Sequence, residues 1–172
     1  GELIMRTDWS DESSILTFKC GPNSNHYHVD QGHFLLMTNG EALLTEAGEE
    51  NGYYANLYYP CYDVPTIGHN CLLIDNDADS QFPADYRNGI EALQSWPRIS
   101  HAFAGRAMDN VEGDLACVYK GKLTEYTRSL LYVKPDIIFL YDRIRSPETH
   151  TYSWLFHAEH TNGKSSITAT PK

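Results

Sequence analysis

A chain of 172 residues, 41% hydrophobic and 12% aromatic, is long enough to bury one sizeable core, so a single globular domain is the expectation. The formal net charge of -10 argues against nucleic acid and anionic membranes as partners, because both demand clustered Lys and Arg, and it weighs against a densely sulfated polymer. No apolar run is long enough to span a bilayer, and the opening GELIMRTDWS has no leader-like pattern, which fits a processed or excised piece.

In chain order, short segments rich in β-branched and aromatic residues predict strands over 3–9, 15–19, 33–38, 41–45, 70–74, 99–107, 114–119, 124–133, 136–142 and 149–157. Asn39-Gly40, Lys120-Gly121-Lys122 and Lys134-Pro135 read as tight hairpin turns, and hairpins imply antiparallel pairing. A short helix is expected around 90–94. With so little helix, parallel βαβ packing is disfavoured, and the predicted fold is all-β, a large two-layer antiparallel sandwich. Between 47 and 66, Tyr53, Tyr54, Tyr58, Tyr59 and Tyr62 crowd among Gly, Asn and Pro without alternation, as in a functional loop.

Cys20, Cys61, Cys71 and Cys117 have neither CxxC spacing nor the density of a disulfide scaffold, and buried free thiols are expected. Trp9, Trp96 and Trp154 are expected in the core. Asp142-Arg143 reads as a strand-end ion pair of small weight. His101, His150, His157 and His160 read as ordinary strand histidines. Arg87, Arg98, Arg106 and Arg128 are the cations available to hold a carboxylated, lightly sulfated polymer.

The segment Asn25-His26-Tyr27-His28-Val29-Asp30-Gln31-Gly32-His33 packs three imidazoles and a carboxylate just before a strand. In extended chain, His26 and His28 share a face, so one can ligate a metal while the other stays free. An isolated HxH is more often a pair of hydrogen-bonded surface histidines. Two further groups strengthen the metal reading. Glu46 ends the strand returning from Asn39-Gly40, which sets it near His33 and within reach of His28, and His69 stands at the entry to the next strand. Two histidines and a carboxylate with an open position suit Zn²⁺ rather than Ca²⁺ or Mg²⁺.

These residues carry a family resemblance. Met5-Arg6-Thr7-Asp8-Trp9, Phe18-Lys19-Cys20-Gly21-Pro22, His26-Tyr27-His28-Val29-Asp30-Gln31-Gly32, Ile67-Gly68-His69-Asn70, Asp142-Arg143 and His150-Thr151-Tyr152-Ser153-Trp154-Leu155-Phe156-His157 resemble the sheet domain of heparinase II/III-like polysaccharide lyases over nearly the whole chain. Its most specific part is HxHxDxG followed by GHN.

The resemblance implies an N-terminal helical toroid in the same parent chain, absent here, with a cleft between toroid and sandwich where uronate-containing acidic polysaccharide is cleaved by β-elimination. It implies His28, Glu46 and His69 as metal ligands, His26 as the cleft-facing catalytic histidine, and a periplasmic or secreted setting. The family more often has Asp where Glu46 stands, and its sandwich continues by a strand or more beyond Lys172. The Zn²⁺ is expected to be structural, holding two hairpins and a loop together.

Tyr54 and Tyr58 are candidate sugar contacts. Catalysis by this stretch alone is not expected. The alternative is a non-catalytic carbohydrate-binding or structural module stabilised by zinc, and a single-domain metal hydrolase ranks last.

Overall fold

The computed structural model describes residues 1–22, 28–46, 59–82 and 96–159. Among them, β1 (Glu2–Arg6), β2 (Ile15–Lys19), β3 (Phe34–Thr38), β4 (Glu41–Thr45) and β11 (His157–Ala158) form one antiparallel sheet in the order β1-β2-β3-β4-β11. β6 (Arg98–Ala104), β7 (Met108–Asp114), β8 (Glu125–Val133) and β9 (Ile137–Arg145) form a second, in sequence order. β5 (Leu72–Ile74) and β10 (Tyr152–Trp154) make a two-stranded ribbon. The all-β sandwich expected from the sequence is present, with antiparallel pairing throughout.

Period-two alternation explains how the layers meet. Along β8 every second residue, Tyr126, Arg128, Leu130 and Tyr132, is buried. Leu16 and Phe18 of β2 do the same from the facing sheet, and Leu72 and Ile74 of the ribbon join that core. The layers approach closely at Gly113, where a Cβ would lie 2.8 Å from Phe18 and 2.9 Å from the Cys20 sulfur.

Two predicted hairpins form. Asn39 and Gly40, at φ 51 and 72, join β3 to β4, and Lys134-Pro135, with a cis peptide bond, joins β8 to β9. Lys120-Gly121 also turns tightly, at φ 54 and 76, but it follows a 3-10 turn, Ala116–Val118, not a strand. The predicted strand over 114–119 is therefore corrected. Leu115, Val118 and Tyr119 are all fully buried, and that three-and-four spacing lies on one face of a helical turn. The strand read over 99–107 ends at Ala104: the chain reverses over 105–107, where Asp109 accepts the Gly105 N–H, and returns as β7, a strand the sequence reading did not predict. Likewise 149–157 divides into β10 and β11, which pair with β5 and β4 respectively. The helix expected near 90–94 lies outside the described residues.

All four cysteines are free; Cys20 and Cys71 are buried, whereas Cys61 is exposed. Two of the three tryptophans depart from the expected core. Trp9 is 87% exposed with the Arg6 guanidinium over its ring, and Trp154 is 45% exposed. Indole pairs an apolar body with a polar N–H, and Trp154 resolves this at the edge by donating to Asp142 at 2.7 Å.

A candidate metal centre

His28 precedes β3 in a loop segment that is held from several sides. The Val29 N–H donates to Val64 O, Lys19 N to His33 O, and Gly32 N to Lys19 O. The Gln81 carboxamide pairs with the Gln31 backbone, accepting its N–H at 2.9 Å and donating to its carbonyl at 2.8 Å, as a neighbouring strand would. Gly32 adopts φ +85, and a Cβ there would meet Leu115 Cδ1 at 2.7 Å, which explains glycine in HxHxDxG.

The β3–β4 register pairs Leu36 with Leu44, so the chain leaving β4 carries Glu46 beside the start of β3. From the other direction a 3-10 turn, Thr66–Gly68, delivers His69, whose N–H donates to Thr66 O.

These three routes converge. One ligand atom from each of His28, Glu46 and His69 lies within 4.8 Å of the other two. The His28 and His69 ring centroids are 5.2 Å apart, and Glu46 Oε2 is 3.2 Å from His69 Nδ1. Contact with the His69 ring holds the Glu46 carboxyl down to about 2, against the cost of its partial burial. Burial, followed by the neighbouring His69, lowers the His28 pKa, and burial brings His33 down to about 3.

Lone pairs on nitrogen and an ionised carboxylate are what a zinc ion requires. His69 supplies the test of fit. It is 1% exposed; its Nδ1 faces Glu46, and its Nε2 is buried with no hydrogen-bond partner among the described residues. Leaving a buried polar atom unpaired costs about 1–3 kcal/mol, a cost that a coordinated cation removes at one nitrogen. Asp30 Oδ1 and His33 Nε2, in the same stretch, are also buried without partners. Asp30 Oδ2 meets Lys19 Nζ at 2.7 Å.

Behind these three residues stands a hydrogen-bonded frame. Asn70, the last residue of GHN, donates its amide to Phe34 O and Thr45 O, and its Oδ1 accepts the His157 backbone N–H. Its own N–H donates to His33 Nδ1. Arg128 reaches across from β8, donating from one nitrogen to both Gly32 O and Asn70 O at 2.9 Å. Its remaining fork grips Asp142 at 2.9 and 2.8 Å, and Asp142 also accepts from Tyr126 and Trp154.

Of the residues singled out from sequence, His28, Glu46 and His69 are brought together; His26, Tyr54 and Tyr58 lie outside the described residues, as do Arg87 and His160. Arg128 is not a surface cation, since its side chain is 1% exposed and already committed to Asp142. Arg98 is exposed and paired with Asp114, and Arg106 is exposed. Asp142 does not pair along the strand with Arg143; alternation turns Arg143 to the opposite face, where it meets Glu125.

Sequence reading missed Asn70, Arg128 and His157 as parts of the site. His157 Nδ1 lies 3.1 Å from Asn70 Oδ1, and its Nε2 is 3.4 Å from the Tyr62 hydroxyl. Only the GHN spelling hinted at Asn70, because a histidine or arginine recruited from a strand far along the chain leaves no local pattern.

A profile described as heparinase II/III-like, C-terminal, matches residues 4–170. No curated protein matches the chain. Among solved structures, a heparan sulfate lyase HepC from Pedobacter heparinus is similar at TM-score 0.71 and 19% identity, covering 91% of this chain and 23% of that one. A mutant of the same enzyme gives TM-score 0.73 at 18% identity, with 92% and 23% covered. A heparinase III gives 0.65 at 16% identity, with 86% and 22% covered. The chain thus spans less than a quarter of the solved proteins it resembles.

Proposed function

The chain belongs to the heparinase II/III-like family, as its C-terminal β-sheet domain, and from that premise we propose that it forms one wall of a polysaccharide lyase cleft. The opposite wall is an N-terminal helical toroid of the same parent chain. The substrate is an acidic, uronate-containing polysaccharide, met in the periplasm or outside the cell.

β-Elimination needs a base for the proton beside the carboxylate, an acid for the leaving oxygen, and a group that neutralises the carboxylate. His26, two residues before His28, is assigned as the catalytic histidine at the cleft edge, and Tyr54 and Tyr58 as sugar contacts. The observation that carries this reading is the convergence of His28, Glu46 and His69 beside an otherwise unpartnered buried imidazole. These three residues would hold a Zn²⁺ ion, which supplies a cross-link between the histidine loop, the β3–β4 hairpin and the turn before β5. Anchoring His28 in this way fixes the chain that presents His26.

The test is ultraviolet absorbance of the intact protein incubated with heparan, hyaluronan and alginate, since elimination leaves a double bond conjugated to the carboxylate. Growth of that absorbance on one polymer, lost in His26→Ala, is the expected result. Binding of a polymer without cleavage would assign the chain instead to a carbohydrate-binding module, and inertness toward every uronate polymer would refute both.

A further inference from the structure

A third histidine sits against the centre. His33 is 5% exposed, and its ring stands edge-on to His69, with centroids 5.4 Å apart and planes at 73°. Its Nδ1 accepts the Asn70 backbone N–H at 2.9 Å. An imidazole whose Nδ1 lone pair is engaged in this way carries its proton on Nε2. That Nε2 is buried and without a partner.

The tautomer is imposed by the frame. Asn70 is fixed through its carbonyl by Arg128, through its amide nitrogen by Phe34 O and Thr45 O, and through Oδ1 by the backbone of His157. Its N–H therefore has little freedom to release His33. With Nδ1 occupied and Nε2 protonated, His33 has no lone pair for a metal, yet its N–H still requires an acceptor. The Glu46 carboxylate, 3.2 Å from the ring that His33 packs against, is a nearby ionised acceptor. Metal-bound carboxylates use their remaining lone pairs for such second hydrogen bonds.

We infer that His33 is an outer-shell donor to this centre and not a fourth ligand, its Nε2–H held for the carboxylate of Glu46. The inference rests on the proposed metal site and deepens it: the centre takes three protein ligands and keeps one position open.

The experiment uses the intact protein with Co²⁺ as probe, read by visible absorption and chelator competition. His33→Asn keeps an acceptor for the Asn70 N–H but lacks the reaching donor, and His33→Phe fills the volume with neither. Both are expected to retain the absorption band shape of the wild type and to bind Co²⁺ about 10- to 100-fold more weakly. Affinity within about twofold of wild type in both variants would overturn the inference, as would a changed band shape reporting a lost nitrogen ligand.

Long-range proton–nitrogen spectra of the wild type must show His33 protonated on Nε2 with and without metal; the opposite tautomer overturns the inference without reference to any variant. Wild-type protein that binds no Co²⁺ would bring down the metal centre itself, and this inference with it. Equal binding by wild type and variants removes the role of His33 alone.

Discussion

Each residue of the proposed centre is an ordinary side chain placed in an unusual setting, and His69 is the most informative of them. Its buried Nε2 has no partner among the described residues, a cost that the proposed ion would relieve in the loaded fold. An ion present at 100 times its dissociation constant adds about 2.7 kcal/mol to stability. Chelator should therefore lower the melting temperature of the wild type and leave that of His69→Ala unchanged. Superimposable wild-type melts with and without chelator would contradict the centre.

Acid should act on the same residues. Burial lowers His33 to about 3, so the unfolded chain binds a proton below its usual pKa near 6.5 that the folded chain refuses. Stability from this group is complete above about pH 6.5 and is lost as pH falls toward 3, at up to about 1.4 kcal/mol per pH unit. His28 and His157 are shifted in the same direction. Glu46 is depressed to about 2 by His69, and its contribution is present above its unfolded value and is lost lower still. Urea titrations of metal-free protein between pH 7 and pH 4 should show a slope that His33→Asn reduces; an unchanged slope would show that His33 is not the proton acceptor.

β8 connects the second sheet to the site through a single side chain. Arg128 spends its donors on Asp142 and on the carbonyls of Gly32 and Asn70, the neighbours of His33 and His69. The pair is 1% and 3% exposed, so Arg128→Met strands the Asp142 carboxylate and should cost about 3–5 kcal/mol in urea unfolding. Arg128→Lys should rescue little, because one ammonium cannot fork onto Asp142 and reach two carbonyls. Full stability in either variant would dismiss the clamp. In the loop before β3, Gly32→Ala meets both a positive φ and the Leu115 side chain, and destabilisation is again expected.

Across the molecule, the two faces of the β6–β9 sheet differ sharply. Inward, Leu130 and Tyr132 are fully buried; outward, Phe139 is 56% and Tyr141 64% exposed, with Phe103, Met108 and Ile137 on the same sheet also exposed. Leu130→Ala should cost about 2–5 kcal/mol, whereas Phe139→Ala should stay within about 0.5 kcal/mol. Equal losses at both positions would mean that the outward face is covered in the folded protein. An apolar outer face of this kind is suited to packing against another protein surface.

Alternation and turn chemistry were enough to read an antiparallel sandwich, and the HxHxDxG and GHN spellings to read the family and to nominate His28, Glu46 and His69, which the fold brings together. They worked because period-two burial, glycine at positive φ and closely spaced histidines are local properties, written in consecutive residues. The reversal after Ala104, the 3-10 turn Ala116–Val118 and the exposure of Trp9 and Trp154 depended on which surface each side chain finally met. So did the frame behind the metal centre. Gly32 and Arg128 are 96 residues apart, and Asn70 and His157 are 87 apart. Hydrogen bonds over such distances are decided by how the sheets stack, and that stacking set the Asn70 N–H on the Nδ1 of His33.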